Sequence, residues 1–306
     1  MEVLEKEIYK RYQAIVESLG CAPRFGALPE PKTVKLSQII DCYDAFCFDG
    51  YGTLYNRGDF VYPGAMEWYR ELRAARKQLR LVTNAASNLD EVLAGEAAAR
   101  GFEFTAAETV SSGSLLKSAL LSEAASTSRT VREVFYIGRA TGVNVLNACG
   151  IDSVENPELP VVAVSSSTAT DEMYAHAVEI LRRPGSLLLL LNSDAWAPKI
   201  DGGRQPVSGA LAERLRRDSV CESNNFEGCR VEYFGKPFPA IWNKVKSTLP
   251  EGSRVLMIGD TLGTDVYGAY VAGFDSALVV GRNEPCAELA EDEEFLGVRP
   301  TYYLVP

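Results

Sequence analysis

The sequence predicts an α/β protein organised on parallel sheet. Three observations carry that prediction. Short apolar runs alternate with stretches of helical periodicity along most of the chain. Several of those runs stop at residues able to do chemistry: Phe48 before Asp49, Val82 before Thr83-Asn84, and Ile258-Gly259 before Asp260. Open parallel sheets bind ligands beyond the carboxyl ends of their strands, so these are the positions an active site would use. Finally, 306 residues exceed what one hydrophobic core usually organises, about 250 to 300 residues, and two compact units are expected.

Taken in order, Glu2 to Leu19 carries Val3, Leu4, Ile8, Tyr12, Ile15, Val16 and Leu19 at spacings of three and four, which predicts an amphipathic helix ended by Gly20. Cys21 to Pro31 is rich in proline and glycine and predicts an irregular link, followed by a short helix over Leu36 to Cys42. Tyr43 to Phe48 predicts a buried strand delivering Asp49 to a loop, Asp49-Gly50-Tyr51-Gly52-Thr53. A helix over Gly64 to Ala75 and a strand over Leu79 to Val82 complete a β-α-β unit, which implies parallel strands joined by a crossover. Further strands are expected at Glu133 to Ile137, Val161 to Val164, Leu187 to Leu191, Val231 to Phe234, Arg254 to Ile258 and Ser276 to Val280. Helices are expected at Leu115 to Ser128, Asn144 to Cys149, Asp171 to Leu181, Ser208 to Arg217 and Pro239 to Ser247.

Composition removes several function classes. A net charge of −10 makes a poor counterion for nucleic acid. No apolar run approaches the roughly 20 residues that cross a bilayer, and the charged N-terminal stretch does not read as a secretory signal. Seven scattered cysteines without a C-x-x-C pair read as reduced thiols of a cytoplasmic protein rather than a disulfide framework or zinc site. The single histidine, His176, removes most triad and poly-His metal chemistry, which needs His with specific partners, and reads as a helix-surface residue. Ser165 to Thr168 reads as an N-cap cluster, Glu288 to Glu294 as a solvated helix face, and Trp196 as a packing residue. Arg139 reads equally as a phosphate-facing cation or a surface residue.

The chemistry-bearing residues occur in a telling order: Asp49-Gly-Tyr-Gly-Thr-Leu54, then Thr83-Asn84, then Lys236 after Gly235, then Gly259-Asp260 with Asp265. In this order the chain resembles the haloacid dehalogenase superfamily, whose motifs are a nucleophilic Asp on a D-x-x-G-T loop, a Ser/Thr, a Lys and an acidic pair. The long interval between Thr83 and Lys236 is similar to the branch holding para-nitrophenyl and phosphoglycolate phosphatases. Leu191-Asn192-Ser-Asp194-Ala-Trp-Ala-Pro198 resembles a stretch of that branch's cap. The resemblance implies a Rossmann-like core with an inserted α/β cap, the core comprising 1–86 and 231–306, with 1–31 as a helical extension, and the cap 87–230. It implies catalytic roles for Asp49, Tyr51, Thr83, Asn84 and Lys236. It further implies Mg2+ held by Asp49, the carbonyl of Tyr51 and Asp260, with Asp265 acting through water. Three gathered carboxylates would repel one another without such a hard cation. The implied substrate is a small phosphorylated metabolite, and the implied assembly is a homodimer.

One position departs from the pattern. Phosphatases of this family carry a second Asp two residues after the nucleophile, as general acid and base, and this chain has Tyr51 there. Such a group is worth about 10²- to 10⁴-fold in rate. Three readings stay open: an Mg2+-dependent hydrolase of phosphate esters or activated phosphates, weak for lack of that acid; a non-catalytic protein that binds metal and phosphate; and haloacid-type displacement, whose halide leaving group needs no proton.

Overall fold

The computed structural model describes residues 5–21, 30–120, 130–201, 203–220 and 228–305. The chain begins with α1 (Glu5–Ser18) and β1 (Lys32–Val34), and passes through two 3-10 turns (Leu36–Gln38 and Ile40–Cys42) into β2 (Ala45–Phe48). There follow α2 (Ala65–Ala74), β3 (Gln78–Thr83), α3 (Asp90–Ala98) and β4 (Thr109–Ser111). A second group comprises β5 (Glu133–Ile137), α4 (Gly142–Ala148), β6 (Asp152–Ser153), β7 (Val161–Val164), α5 (Asp171–Leu181) and β8 (Leu187–Leu190). The hairpin β9 (Trp196–Pro198) and β10 (Arg204–Pro206), then α6 (Ser208–Asp218) and β11 (Arg230–Tyr233), complete it. The chain returns through α7 (Pro239–Ser247), β12 (Val255–Gly259), α8 (Tyr267–Ala272), β13 (Asp275–Leu278), α9 (Leu289–Leu296) and β14 (Tyr302–Leu304).

Two parallel sheets result. The larger has the order β1-β14-β13-β12-β2-β3-β4, and the smaller β11-β8-β7-β5-β6. Central strands β2, β12, β7 and β8 are buried at every residue, which is why they read as continuous apolar runs rather than alternating ones. Strand β2 lies between β12 and β3, so Phe48, Ile258 and Leu81 stand in register and their loops emerge side by side. That register gathers Asp49, Asp260 and Thr83 at one edge.

Strand pairing corrects both expected borders of the insert. β4 pairs with β3 in the larger sheet, so α3 and β4 belong there and not to a unit beginning at 87. β11 pairs with β8, so the segment Arg230–Tyr233 closes the smaller sheet although the sequence placed 231 onward in the core. A strand's sheet is decided by its neighbour in space, which periodicity does not report. The edge strands β1 and β4, and β14 beside β1, have only three residues each and were missed for that reason. The expected irregular link over Cys21 to Pro31 and the end of the helix expected to reach Ser128 lie largely outside the described residues, as does Cys221.

Two surface readings also change. Asp292 and Glu293 of the acidic run on α9 are buried, because α1 and Tyr303 cover them. Thr170, accepting from the Met173 amide at 3.2 Å, caps α5, and Ser165 instead bonds Tyr136 and Ser87 at 2.5 and 3.0 Å.

Candidate active site

Asp49 follows the last residue of β2 and is buried. Its Oδ1 accepts from Lys236 Nζ at 2.5 Å, and the same ammonium donates to Asp265 Oδ1 at 2.7 Å. Asp265 Oδ2 accepts the backbone amides of Asp260 and Thr261 at 3.1 and 3.2 Å, so it ties the acidic loop to itself. This loop leaves β12 and turns through a wide π-type turn, Leu262–Val266, into α8. Gly52 has φ of 103°, and a Cβ there would collide with the Asp260 carboxylate, so the first loop can reach the acidic one only with glycine at this position.

One carboxylate oxygen each from Asp49, Asp260 and Asp265 lie within 4.8 Å of one another. Burial, only partly opposed by Lys236, pushes Asp49 up to about 7. Burial also raises Asp260 well above the usual carboxylate range, and Asp49 adds to the shift. Lys236 is held above its ordinary value because Asp265 and Asp49 outweigh the burial that opposes its charge. Asp260 Oδ2 is buried with no hydrogen-bond partner. Three buried acids facing one ammonium, with an orphaned oxygen among them, fit a hard divalent cation bound through oxygen.

The second half of the site comes from Asn84 and the smaller sheet. Asn84 Oδ1 accepts the Lys236 amide at 2.7 Å, while Nδ2 donates to Asp194 Oδ1 at 2.8 Å and to the Lys236 carbonyl at 3.1 Å. Asn84 is thus a clamp that orients Lys236 and the Asp194 loop. Thr83 is buried, and its Oγ1 accepts the Ala85 amide at 3.1 Å. Asp194 is pushed up to about 6 by burial. A cavity of about 260 Å³ opens above Asp49, lined among others by Thr83, Arg57, Arg139, Ser165 and Asp194.

Tyr51 borders this cavity, but its hydroxyl donates to Glu96 Oε2 on α3 at 2.9 Å and its ring meets Tyr55 edge-on. Burial, with Glu96 adding, raises the phenol to about 12. The side chain therefore spends its proton on Glu96 and supplies no general acid in this arrangement.

The sequence reading missed the run Arg282-Asn283-Glu284. Arg282 donates to the Gly52 carbonyl at 3.0 Å and also to that of Thr53, Asn283 Nδ2 to Thr261 Oγ1 at 2.8 Å, and Glu284 Oε1 accepts the Leu262 amide at 2.7 Å. These three side chains lock the first and last loops together. Only the polarity of the run following β13 could have hinted at them.

This arrangement defines a hydrolase scaffold, and comparison with known proteins agrees. The profile described as haloacid dehalogenase-like hydrolase matches residues 46–152, and one described as HAD-hydrolase-like matches 233–305. The chain belongs to the haloacid dehalogenase-like hydrolases. It is 29% identical to mouse chronophin over 256 residues, covering 80% of this chain and 83% of that protein. It is similar to the glycerol phosphate phosphatase of Mycobacterium tuberculosis in complex with magnesium, with TM-score 0.66, 26% identity, and coverage of 87% of this chain and 76% of that one. A possible sugar phosphatase from Cytophaga hutchinsonii shares the fold, with TM-score 0.71, 22% identity, and coverage of 90% and 97%.

Proposed function

We propose that this chain is an Mg2+-dependent phosphohydrolase acting on small phosphorylated metabolites through an aspartyl-enzyme intermediate. The observation that carries the reading is the buried trio Asp49, Asp260 and Asp265 around Lys236, with its excess negative charge and the unpartnered Asp260 oxygen. Asp49, Asp260 and Asp265 would hold the ion, which when bound supplies charge neutralisation for the phosphoryl oxygens. With Oδ1 engaged by Lys236, attack on phosphorus falls to Asp49 Oδ2, forming the acyl phosphate as the ester P–O bond breaks. Lys236 and Thr83 hold the equatorial oxygens. Water then cleaves the acyl phosphate and returns Asp49.

The names of similar proteins support this substrate class: glycerol phosphate phosphatases and a ribonucleotide monophosphatase match over most of the chain. No helix among the described residues is long and apolar enough to cross a membrane. The six described cysteines are free thiols, which fits a reducing, cytoplasmic setting. The homodimer implied by resemblance belongs to the same proposal, and light scattering checks it.

A second reading rests on Tyr51. Because its hydroxyl is committed to Glu96, Tyr51 offers the leaving group no proton, and a protein that binds metal and phosphate without turnover would look the same. The deciding assay is para-nitrophenyl phosphate hydrolysis with Mg2+, with Asp49→Asn as the blank. Phosphate release above the blank, abolished by EDTA, is expected. No release, with Mg2+ and phosphate still raising the melting temperature, would replace the first reading by the second. Halide release from a haloacid that persists in EDTA would assign displacement chemistry instead.

A further inference from the structure

Helix α1 precedes both family matches, yet it is deeply buried. Ile8, Tyr9, Tyr12 and Val16 are each no more than 2% exposed. They belong to one apolar cluster that also contains Val164, Leu190 and Leu215 from the smaller sheet and its helix, and Leu262, Val266 and Leu278 from the larger unit. An ordinary terminal helix covers one face of one unit. This one is wedged between two.

Tyr9 touches both halves of the candidate site. Its ring lies against Gly263, inside the acidic loop, so closely that a Cβ at 263 would collide with it. Its hydroxyl accepts the amide of Ala195 at 3.3 Å, next to Asp194. One turn later, Tyr12 Oη lies 2.9 Å from where a Cβ on Gly209 would stand, and the Gly209 amide donates to the Asp194 carbonyl at 2.8 Å. Polar contacts bind the same helix on both sides. Glu5 accepts from Arg204 of β10 at 2.5 Å, and Arg204 reaches on to Glu288, just before α9, at 3.0 Å. Gln13, buried, donates to the Leu296 carbonyl at 3.0 Å.

We propose that α1 is a strap that holds the cap docked on the core, and that Tyr9 is the positioning residue through which it sets the acidic loop 260–265 against the Asp194 loop. Helix packing of this kind has discrete arrangements rather than a continuum. A docked cap then admits only what fits the cavity of about 260 Å³ above Asp49, so the strap is also a specificity device for small substrates. This last consequence rests on the phosphohydrolase reading. The positioning role does not.

The test uses the full chain with Tyr9→Phe, Tyr9→Leu and Arg204→Gln, read by amide hydrogen exchange and by calorimetric Mg2+ titration. Tyr9→Phe keeps the ring on Gly263 and removes the hydroxyl, with its bond from the Ala195 amide and its hydrogen bond to Glu5, and is expected to speed exchange across 192–195 about fivefold while leaving 260–265 and Mg2+ affinity as they were. Tyr9→Leu is expected to speed exchange in both loops and weaken Mg2+ binding about tenfold or more, with β2 and β12 still protected. Arg204→Gln is expected to speed exchange in β9 and β10 and in α1 together. In the hydrolysis assay, Tyr9→Phe should raise KM and spare kcat.

If Tyr9→Phe leaves the exchange of 192–195 unchanged, or if every variant raises exchange evenly over the whole chain, the strap is refuted. Should Tyr9→Leu fail to fold, the Tyr9→Phe comparison still decides. Exchange and Mg2+ binding need no turnover. A chain without phosphate release that shows these shifts therefore sinks the reaction and keeps the strap, and the converse sinks the strap alone.

Discussion

Replacing Tyr51 by Asp tests how far one residue limits this scaffold. The phenol donates to Glu96 Oε2 at 2.9 Å, while Asn88 holds the other Glu96 oxygen at 2.7 Å. A hydrogen bond to a charged group contributes about 1.5 to 3 kcal/mol, and that stabilisation is lost on substitution. The Glu96 charge would raise the pKa of a carboxyl at 51, which favours the protonated form that a general acid needs near neutral pH. Pairing the change with Glu96→Gln removes that charge. A correctly placed general acid lowers the barrier by about 3 to 5 kcal/mol, equivalent to 10²- to 10⁴-fold. We therefore expect Tyr51→Asp to raise kcat/KM on glycerol 3-phosphate about 10²-fold, and the double variant to raise it less. On para-nitrophenyl phosphate the gain should stay below about threefold, because nitrophenolate leaves without a proton. Initial rates with both substrates, at saturating Mg2+ and normalised to Asp49→Asn, give the comparison. Equal gains on the two substrates, or no gain on the alkyl ester, would refute the assignment of the missing acid to position 51.

Lys236→Met leaves Asp49 and Asp265 without their buried ammonium, which should cost about 3 to 5 kcal/mol; melting curves should show the drop, with added Mg2+ recovering part of it. Gly52→Ala puts a Cβ into the Asp260 carboxylate from a positive φ, and calorimetry should find Mg2+ binding lost while the circular dichroism spectrum is kept. Asp49 titrates near 7, so protons compete with the cation and the melting shift produced by Mg2+ should shrink as pH falls through 7. Glu284 and Glu5 are raised by burial from 4.5 to about 8 and about 7. An acid with a raised folded pKa favours folding below its unfolded value and loses that advantage as pH rises through the folded one. The metal-free protein should therefore melt lower at pH 9 than at pH 5, and Glu284→Gln should flatten the upper part of that slope; an unchanged slope would contradict the burial of this carboxyl.

What the sequence determined by itself is local or covalent in origin. Buried parallel strands must be apolar at successive positions, so Ala45–Phe48, Val161–Val164 and Leu187–Leu190 announce themselves. Each candidate side chain ends or follows such a strand or a turn, so Asp49, Thr83, Asn84, Lys236, Asp260 and Asp265 could be picked out and ordered by motif. The structure brings all six to one edge of the larger sheet or its clamp. The tertiary structure decided whatever depends on which surfaces meet. Short edge strands such as Thr109–Ser111 gain their identity from a neighbour, and so the borders of the two units moved. The direction of the Tyr51 hydroxyl depends on Glu96, 45 residues away. Arg282 has no motif, yet it fastens the loop after Asp49 because β13 ends beside β12. Helix α1 shows only an amphipathic stripe in sequence. That stripe says that one face is covered, whereas three-dimensional packing alone determines that the cover comes from two units at once and reaches Gly263 and Ala195.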